Sequence, residues 1–363
     1  MEVHVFERNA EVREIGAGLS FWSNGLRAVR ELGVDAVLGA GSPIEWLENA
    51  DWKGRSLQRI HVGALGRHVA IQRPDLLGAL RRAVGDSVVH VGHCLSSLHQ
   101  DASGVMARFE NGVEAPGDVL VGADGLFSVT RRALHGDTQP PLYAGNVAWR
   151  GIASFEHARL PVGVALSLMG RGKHFAVEPI GSGRLFWYAA KNLQDAADGP
   201  ASLQEPGRKK EELFVHFSDC ANPIPALIDA TPEDAIFRHR VYDLPAVRPW
   251  SRGRVTLLGD AAHAMRPNLG QGACQAVEDA VVLGACLGRV SGIGAALRRY
   301  EALRRRRTRW VVYWSKQISR MEYLERPMAT WARDRWLHLT PGVLSLPWFS
   351  TILAFDAPAS STP

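Results

Sequence analysis

The sequence predicts an α/β protein with a doubly wound sheet in one domain, a mixed β-sheet in a second domain, and helices near its C-terminal end. Two strand-like runs, at residues 118–121 and 254–258, are each followed by a glycine and an aspartate. The second run precedes a long apolar helix pattern at residues 273–287, which is the strand, turn and helix order of a doubly wound fold. Between these runs, aromatic strand-like segments alternate with glycine-rich turns, which indicates a separate sheet.

The segment before residue 118 predicts the rest of the first domain. Pro74 stands at the first turn of a helix pattern, where a missing N–H costs little. Gly33 stops an earlier helix pattern. In chain order, the predicted elements are an edge-like strand at 1–7, a helix at 24–32, short antiparallel strands within 42–71, a helix at 75–83, and strands at 88–91, 96–98 and 105–109.

The second domain and the end of the chain are predicted from changes in this pattern. Aromatic strand-like segments at 147–150, 164–169, 174–179 and 184–189 are followed by a helix at 211–217 and a returning strand at 236–241. A long helix is expected near 295–325. The predicted domains are residues 1–140 together with 251–325, residues 141–250, and a helical or irregular tail at 326–363.

The segment from Gly259 to Gly272 carries the clearest chemistry. Asp260 follows a strand, which places one carboxylate at the carboxyl edge of the sheet, where α/β proteins bind ligands. The neighbouring glycines let backbone approach a flat ligand closely. The helix behind them offers free N–H groups and the positive end of its dipole to an anion. A carboxylate for ligand hydroxyls beside such a helix start predicts a flavin site.

Four motifs resemble those of the FAD-dependent aromatic-ring monooxygenases, the salicylate hydroxylase-like group A flavoproteins. The motifs are Val5-Phe6-Glu7-Arg8 with Gly16-Ala17-Gly18, Gln72-Arg73-Pro74, Gly122-Ala123-Asp124-Gly125, and Gly259-Asp260 with Gly270-Gln271-Gly272. Short glycine motifs recur by chance when taken singly, but here they follow the family's order and spacing over about residues 3–340. The resemblance implies a Rossmann-like FAD-binding domain at 1–140 and 251–325, and a substrate-binding sheet at 141–250 that roofs the flavin.

The chain departs from the family pattern at its start. The family opens with a strand, a Gly-x-Gly-x-x-Gly turn and a helix, which cradle the FAD pyrophosphate. Here Gly16 and Gly18 come after Glu7, so residues 1–7 correspond to the family's second strand. About 25–30 residues of that opening unit are expected to be missing. Either the native protein extends upstream of Met1, or the chain is a degenerate form that binds FAD weakly or not at all.

The resemblance assigns cofactor contacts residue by residue. The two carboxylate oxygens of Glu7 would hold the adenosine ribose. The guanidinium of Arg73 would reach a phosphate or a ribityl oxygen, and Asp260 would accept a hydrogen bond from a ribityl hydroxyl. The residues assigned to FAD are Glu7, Arg73, Asp124, Gly125, Gly259, Asp260, Gly270, Gln271 and Gly272.

The reactive part of the flavin is assigned to the loop before the long apolar helix. Backbone N–H groups of residues 270–272 would stabilise negative charge on the reduced ring at its pyrimidine edge. Pro267 would shape the loop beside the carbon at which oxygen reacts, and Asn268 would face the pocket; these two are the candidate catalytic residues. His263 is expected to be a structural histidine packed behind the loop.

The resemblance implies a monooxygenase reaction. NADH or NADPH would reduce FAD, and a flavin C4a-hydroperoxide would hydroxylate or epoxidise a small, aromatic substrate. Arg150 or His174 could pair with a carboxylate or phenolate and, with Tyr188, are the candidate substrate contacts, although the sequence does not fix which strand face they share. A halogenase or a reductase of the same fold, and a truncated remnant without catalysis, stay open as alternatives. No Trp-x-Trp-x-Ile-Pro segment of the halogenase type is present.

Composition and charge argue against other classes of function. The chain has 363 residues and a net charge of +5, carried by scattered arginines with one tight cluster at 304–307 that we expect on a solvated helix face. We therefore expect no nucleic-acid partner, and no apolar run reaches the length of a membrane span. The four cysteines lack the spacing of a disulfide framework or metal site, which indicates a reducing cytoplasm. The expected partners are a small-molecule substrate and O2, in a monomer or homodimer.

Overall fold

The structure, a computed structural model, describes residues 1–11, 18–136, 140–193 and 207–355. Its strands are β1 (Val5–Phe6), β2 (Gly18–Phe21), β3 (Ser42–Pro43), β4 (Trp46–Asp51), β5 (Ser56–His61), β6 (Val69–Gln72), β7 (Val89–His90), β8 (Leu95–Gln100), β9 (Val105–Phe109), β10 (Glu114–Gly117), β11 (Leu120–Gly122), β12 (Leu142–Ser154), β13 (Val164–Met169), β14 (Lys173–Pro179), β15 (Arg184–Asn192), β16 (Phe237–Asp243), β17 (Ser251–Arg252) and β18 (Val255–Leu257). Its helices are α1 (Ser23–Glu31), α2 (Arg73–Val84), α3 (Val129–His135), α4 (Lys209–Phe217), α5 (Ile224–Ala230), α6 (Asp260–His263), α7 (Gly272–Arg289), α8 (Ile293–Glu322), α9 (Pro327–Leu339) and α10 (Leu346–Leu353).

The parallel strands expected in the first domain form two separate pairs. Strand β1 pairs with β7, and β11 pairs with β18, both in parallel. Within the described residues these pairs belong to different sheets, and Val5 and Val121, one on each pair, are exposed. The strand predicted at residues 1–7 is confirmed only for Val5–Phe6. A missing central strand stays a prediction.

A seven-stranded sheet forms the second layer of strands, in the order β16-β12-β15-β14-β13-β4-β5. Its neighbours pair antiparallel except β13 and β4, which pair in parallel, so the predicted mixed sheet is confirmed. Strands β4 and β5 come from before residue 141 and still pair into this sheet. The seven-stranded sheet therefore crosses the predicted domain boundary at residue 141. The division of the chain into domains stays a prediction.

The two faces of the seven-stranded sheet carry different residues because side chains alternate along a strand. Trp149, Phe175 and Trp187 pack on one face in a core that includes residues of α4 and α5. Arg150 lies directly opposite Tyr188 in the ladder, on the other face. The register that the sequence left open thus separates an apolar face from a polar one.

Helices α1, α7 and α8 pack against the motif that follows β18. The predicted helices at 24–32, 273–287 and 295–325 are confirmed as α1, α7 and α8. Helices α1 and α7 approach so closely at Gly25 that a side-chain carbon there would lie 2.6 Å from the sulfur of Cys274. Cys274 and Cys286 are buried and free, as expected for small apolar residues. None of the described helices is long and apolar enough to cross a membrane.

The last helices of the chain are attached through two arginines, of which Arg333 is buried and Arg27 is exposed. In α9, Arg333 is buried and donates to the backbone carbonyls of Met169, Gly170 and Glu322. Near α10, Arg27 donates to the carbonyl of Leu353 at 2.6 Å. Helix α9 thus lies beside the edge strand β5 of the seven-stranded sheet, and α10 is bonded to α1; the sequence predicted only a helical or irregular tail here.

Candidate active site

One cavity of about 990 Å³ lies between the Gly259 segment and the seven-stranded sheet. The loop before α7 forms its floor, the polar face of β12, β14 and β15 its roof, and aromatic residues of α8–α10 one of its walls. Most of the predicted site residues line it, namely Arg73, Gly125, Arg150, His174, Tyr188, Gly259, Asp260, Pro267, Asn268, Gly270 and Gly272. The fold thus brings together residues that are far apart in sequence.

The floor is shaped by glycines and by the start of α7. Gly259 has φ +60°, and a side-chain carbon there would lie 3.3 Å from the side chain of Ala276 on α7. Helix α7 begins at Gly272, beside open space, and its first N–H groups have no intrahelical acceptors. Asp260 is exposed beside them. Free donors, a carboxylate and bare backbone suit the polar edge of a flavin ring and its ribityl chain.

Three predicted cofactor residues do not line the cavity. Glu7 accepts hydrogen bonds from the backbone and side-chain nitrogens of Asn9, at 2.9 Å and 2.6 Å. Asp124 accepts from the backbone N–H and the hydroxyl of Thr130 and so holds the start of α3. The side chain of Gln271 is buried and faces α1. Their roles as cofactor contacts stay predictions.

A buried ionic network supports the floor from behind. The carboxylate of Asp279 accepts from His263 at 2.5 Å, from the backbone N–H of Gly259 at 3.0 Å, and from Arg304 at 2.6 Å. Burial alone would raise the pKa of Asp279, but His263 and Arg304 together lower it below its usual value. His263 thus lies buried behind the loop, in the place expected for a structural histidine.

The same network corrects the prediction for residues 304–307. Arg304 is 1% exposed and ion-paired with Glu278 and Asp279, while Arg307 reaches Glu278 at 2.6 Å. Arg306 is exposed, as expected on a solvated face, and Arg305 is partly exposed and paired with Glu301 at 2.8 Å. Residues three apart share a helix face, so two arginines of the cluster turn inwards. The expectation of a solvated face was wrong because sequence alone does not give the rotation of α8.

Arg150 presents a cation to the cavity from the roof. Its guanidinium carbon lies 5.5 Å from the ring centre of Tyr188, and among the described residues its Nε has no hydrogen-bond partner. Burial lowers the pKa of Arg150, but a guanidinium stays charged at neutral pH. Burial also raises the pKa of Tyr188 to about 12, so its hydroxyl keeps its proton. Arg150 is therefore an incompletely satisfied donor facing the cavity.

The C-terminal end of α8 adds a buried carboxyl that sequence reasoning missed. Glu322 is 7% exposed and accepts a hydrogen bond from Asn268. Burial raises its pKa to about 8. His174 lies with Nδ1 3.8 Å from this carboxyl and Nε2 2.8 Å from the hydroxyl of Ser167, and burial lowers the pKa of His174 to about 3. At neutral pH this corner thus holds a protonated acid and a neutral imidazole.

A sequence signal for Glu322 did exist. The buried residues of α8 recur every three or four positions through Thr308, Val311, Ser315 and Ser319, and the next position in that series is Glu322. A second carboxyl, on Glu178 of β14, lines the cavity and accepts from the hydroxyl of Ser20 at 2.5 Å. No local pattern marks Glu178, because its place follows from strand register alone.

The chain belongs to the FAD binding domain family, which it matches over residues 2–315. The aurachin C monooxygenase/isomerase of Stigmatella aurantiaca is 36% identical over 341 residues, covering 92% of this chain and 87% of that protein. The FAD-dependent urate hydroxylase of Klebsiella pneumoniae subsp. pneumoniae is 32% identical over 320 residues, covering 86% of this chain and 82% of that protein.

Solved structures agree with this assignment. The crystal structure of Klebsiella pneumoniae HpxO complexed with FAD and uric acid has a TM-score of 0.89 at 29% identity, covering 96% of this chain and 90% of that one. A salicylate hydroxylase substrate complex shares the fold, with a TM-score of 0.77 at 22% identity, covering 99% of each chain. The protein is an FAD-dependent monooxygenase that acts on a small substrate, as its motifs led us to expect.

Proposed function

We propose that the protein inserts one oxygen atom, by hydroxylation or epoxidation, into a small aromatic substrate that carries one anionic or hydrogen-bonding oxygen. The observation behind this proposal is the pairing of the incompletely satisfied cation of Arg150 with an aromatic wall in the same cavity. The aromatic members of that wall are Trp314, Trp336, Trp348 and Phe349, and Trp22 and Phe186 line the same cavity from other elements.

FAD would be held on the floor of the cavity. Asp260 would accept from a ribityl hydroxyl, Arg73 would pair with an anionic oxygen, and the start of α7 would stabilise negative charge on the reduced ring. When bound and reduced by NADH or NADPH, FAD supplies one atom of O2 to the substrate while the other leaves as water. Pro267 and Asn268 line the cavity from the floor loop, so they would set the distance between ring and substrate.

The roof would orient the substrate. The guanidinium of Arg150 would donate to a phenolate, carboxylate or carbonyl oxygen, which would turn the opposite edge of the aromatic ring towards the floor. Glu322 would hold a proton at its carboxyl oxygen, fixed by the amide of Asn268. A neutral acid in a low-dielectric cavity can donate a hydrogen bond or a proton as the substrate gains charge.

The aromatic wall would favour an apolar ring system. A strongly polar heterocycle needs a partner for each of its donors and acceptors, since a buried unpaired polar group costs about 1–3 kcal/mol. Large aromatic and aliphatic side chains instead bury carbon surface and exclude water from the reaction. The substrate we propose is therefore more apolar than the uric acid bound by the Klebsiella relative.

Turnover with a substrate panel tests this proposal. The purified protein, loaded with FAD, would be given NADH or NADPH and a series of phenols, hydroxyquinolines and urate. We expect faster consumption of the nicotinamide, and products carrying one added oxygen atom by mass spectrometry, for apolar rings with one acidic oxygen. Nicotinamide oxidation that yields hydrogen peroxide alone across the panel, or product formation only with urate, would contradict it.

A further inference from the structure

Helix α9 exposes its more apolar side. The side chains of Met328, Trp331 and Leu339 are 75%, 63% and 60% exposed. The buried residues of the same helix are Thr330, Arg333 and Leu337, two of which are polar. A helix on a globular protein normally turns its apolar stripe inwards. Helix α9 does the opposite, and exposed apolar patches of this kind mark interaction sites.

The exposed apolar surface continues past the end of α9 to the cavity. In the turn at residues 342–345, Val343 and Leu344 are 64% and 66% exposed. Trp336 of α9 is 57% exposed and, like Leu344, also lines the cavity. We call the exposed side of α9 and this turn the α9 surface. It forms part of the rim through which the cavity reaches the outside of the molecule.

Positive charge borders the α9 surface. Residues 326–353 contain three arginines and one aspartate, and that aspartate, Asp334, is ion-paired with the buried Arg333 at 2.8 Å. Arg326 and Arg335 remain exposed on α9. Arg59 is also exposed, and its backbone oxygen would lie 2.0 Å from a side-chain carbon built on Gly342, so β5 directly adjoins the turn. The α9 surface thus combines apolar side chains with positively charged arginines.

We propose that the α9 surface binds the surface of an anionic lipid bilayer. Trp331, Met328 and Leu339 would enter the boundary between headgroups and acyl chains, where tryptophan is favoured, and the arginines would contact lipid phosphates. A second copy of the chain is a poorer partner, since a two-fold pairing would set this positive surface against itself. A lipophilic aromatic substrate would then reach the cavity past Trp336 and Leu344. This route for the substrate rests on the proposed function.

Vesicle flotation with the full-length, FAD-loaded protein tests membrane binding without any turnover. We expect binding to vesicles of phosphatidylcholine mixed with phosphatidylglycerol, weaker binding to phosphatidylcholine alone, and loss of binding at high salt. Replacing Met328 and Trp331 by serine should weaken binding by about tenfold. The matched control is Val215→Ser on α4, because Val215 is 74% exposed, close to the 75% of Met328. It should bind like the unchanged protein.

A charge variant separates the electrostatic contribution. Arg326→Glu with Arg335→Glu should abolish the preference for anionic vesicles while the thermal midpoint and the flavin spectrum stay unchanged. Absence of binding to anionic vesicles, or equal binding by all variants, would overturn the proposal. So would a dimer that the Met328 and Trp331 variant converts to monomer. Flotation does not depend on turnover, so membrane binding can be measured even if no substrate is found. Conversely, absence of membrane binding would not affect the assignment as a monooxygenase.

Discussion

The buried carboxyl of Glu322 predicts an unusual dependence of stability on pH. Raising its pKa from 4.5 to about 8 means that the folded protein keeps a proton that the unfolded chain has lost between those values. The folded state then binds more protons than the unfolded state, so the free energy of unfolding falls as pH rises through this range. At 1.36 kcal/mol for each pH unit, the total loss is about 5 kcal/mol.

Glu322→Gln removes this dependence while keeping the shape of the neutral acid and an oxygen that accepts from Asn268. We expect the variant to match the unchanged protein at about pH 4 and to exceed its free energy of unfolding by up to about 5 kcal/mol at about pH 9. Urea denaturation followed by tryptophan fluorescence, at intervals across that range, measures the difference. Glu156→Gln makes the same chemical change at an exposed side chain and should track the unchanged protein. Parallel curves for Glu322→Gln and the unchanged protein would refute the reasoning.

Three further substitutions test the floor and the roof of the cavity. Arg304→Met removes one of the partners of each of two buried carboxylates, Glu278 and Asp279, and should lower the free energy of unfolding by about 3–5 kcal/mol in urea denaturation, whereas Arg306→Met on the exposed face should change it by less than about 0.5 kcal/mol. Gly259→Ala and Gly112→Ala both place a side chain at positive φ, +60° and +83°, and each should cost about 1–2 kcal/mol. Only Gly259→Ala should also weaken FAD retention, measured by fluorescence titration; equal retention would remove Gly259 from the cofactor floor. Arg150→Met should raise KM for an acidic substrate by about tenfold or more with little change in FAD affinity, and an unchanged KM would contradict its role in orienting the substrate.

Local sequence signals predicted most of the helices and strands, and they marked Gly259 and Asp260, which line the cavity. The strand, glycine and aspartate at Gly259 and Asp260 followed by an apolar helix pattern define one short stretch of chain, so their geometry follows from neighbouring residues. The same holds for the aromatic strands of the mixed sheet, because the alternation of inward and outward side chains can be recognised within each segment alone.

Pairing over long distances and helix rotation were beyond the sequence. Nothing near β4 and β5 shows that they join a sheet built mostly from residues after 141, because that pairing depends on which surfaces are buried in the finished fold. Arg304 looks like its neighbour Arg306 in sequence, and only the packing of α8 on α7 separates a buried ion pair from a solvated side chain. Glu322 was missed for a different reason: its spacing from Ser315 and Ser319 continues the buried stripe of α8, but a carboxyl is not expected in such a stripe.

The attachment of α9 through Arg333 has a consequence for how such an enzyme can diversify. Four of its acceptors are backbone carbonyls, of Met169, Gly170, Met321 and Glu322, and a carbonyl is present whatever the side chain. Side chains that face the cavity near Arg333 can therefore be substituted without breaking the hydrogen bonds that attach α9. The helices at the chain end that line the cavity can thus change their side chains while the glycines of the cavity floor and the ionic network behind it stay as they are.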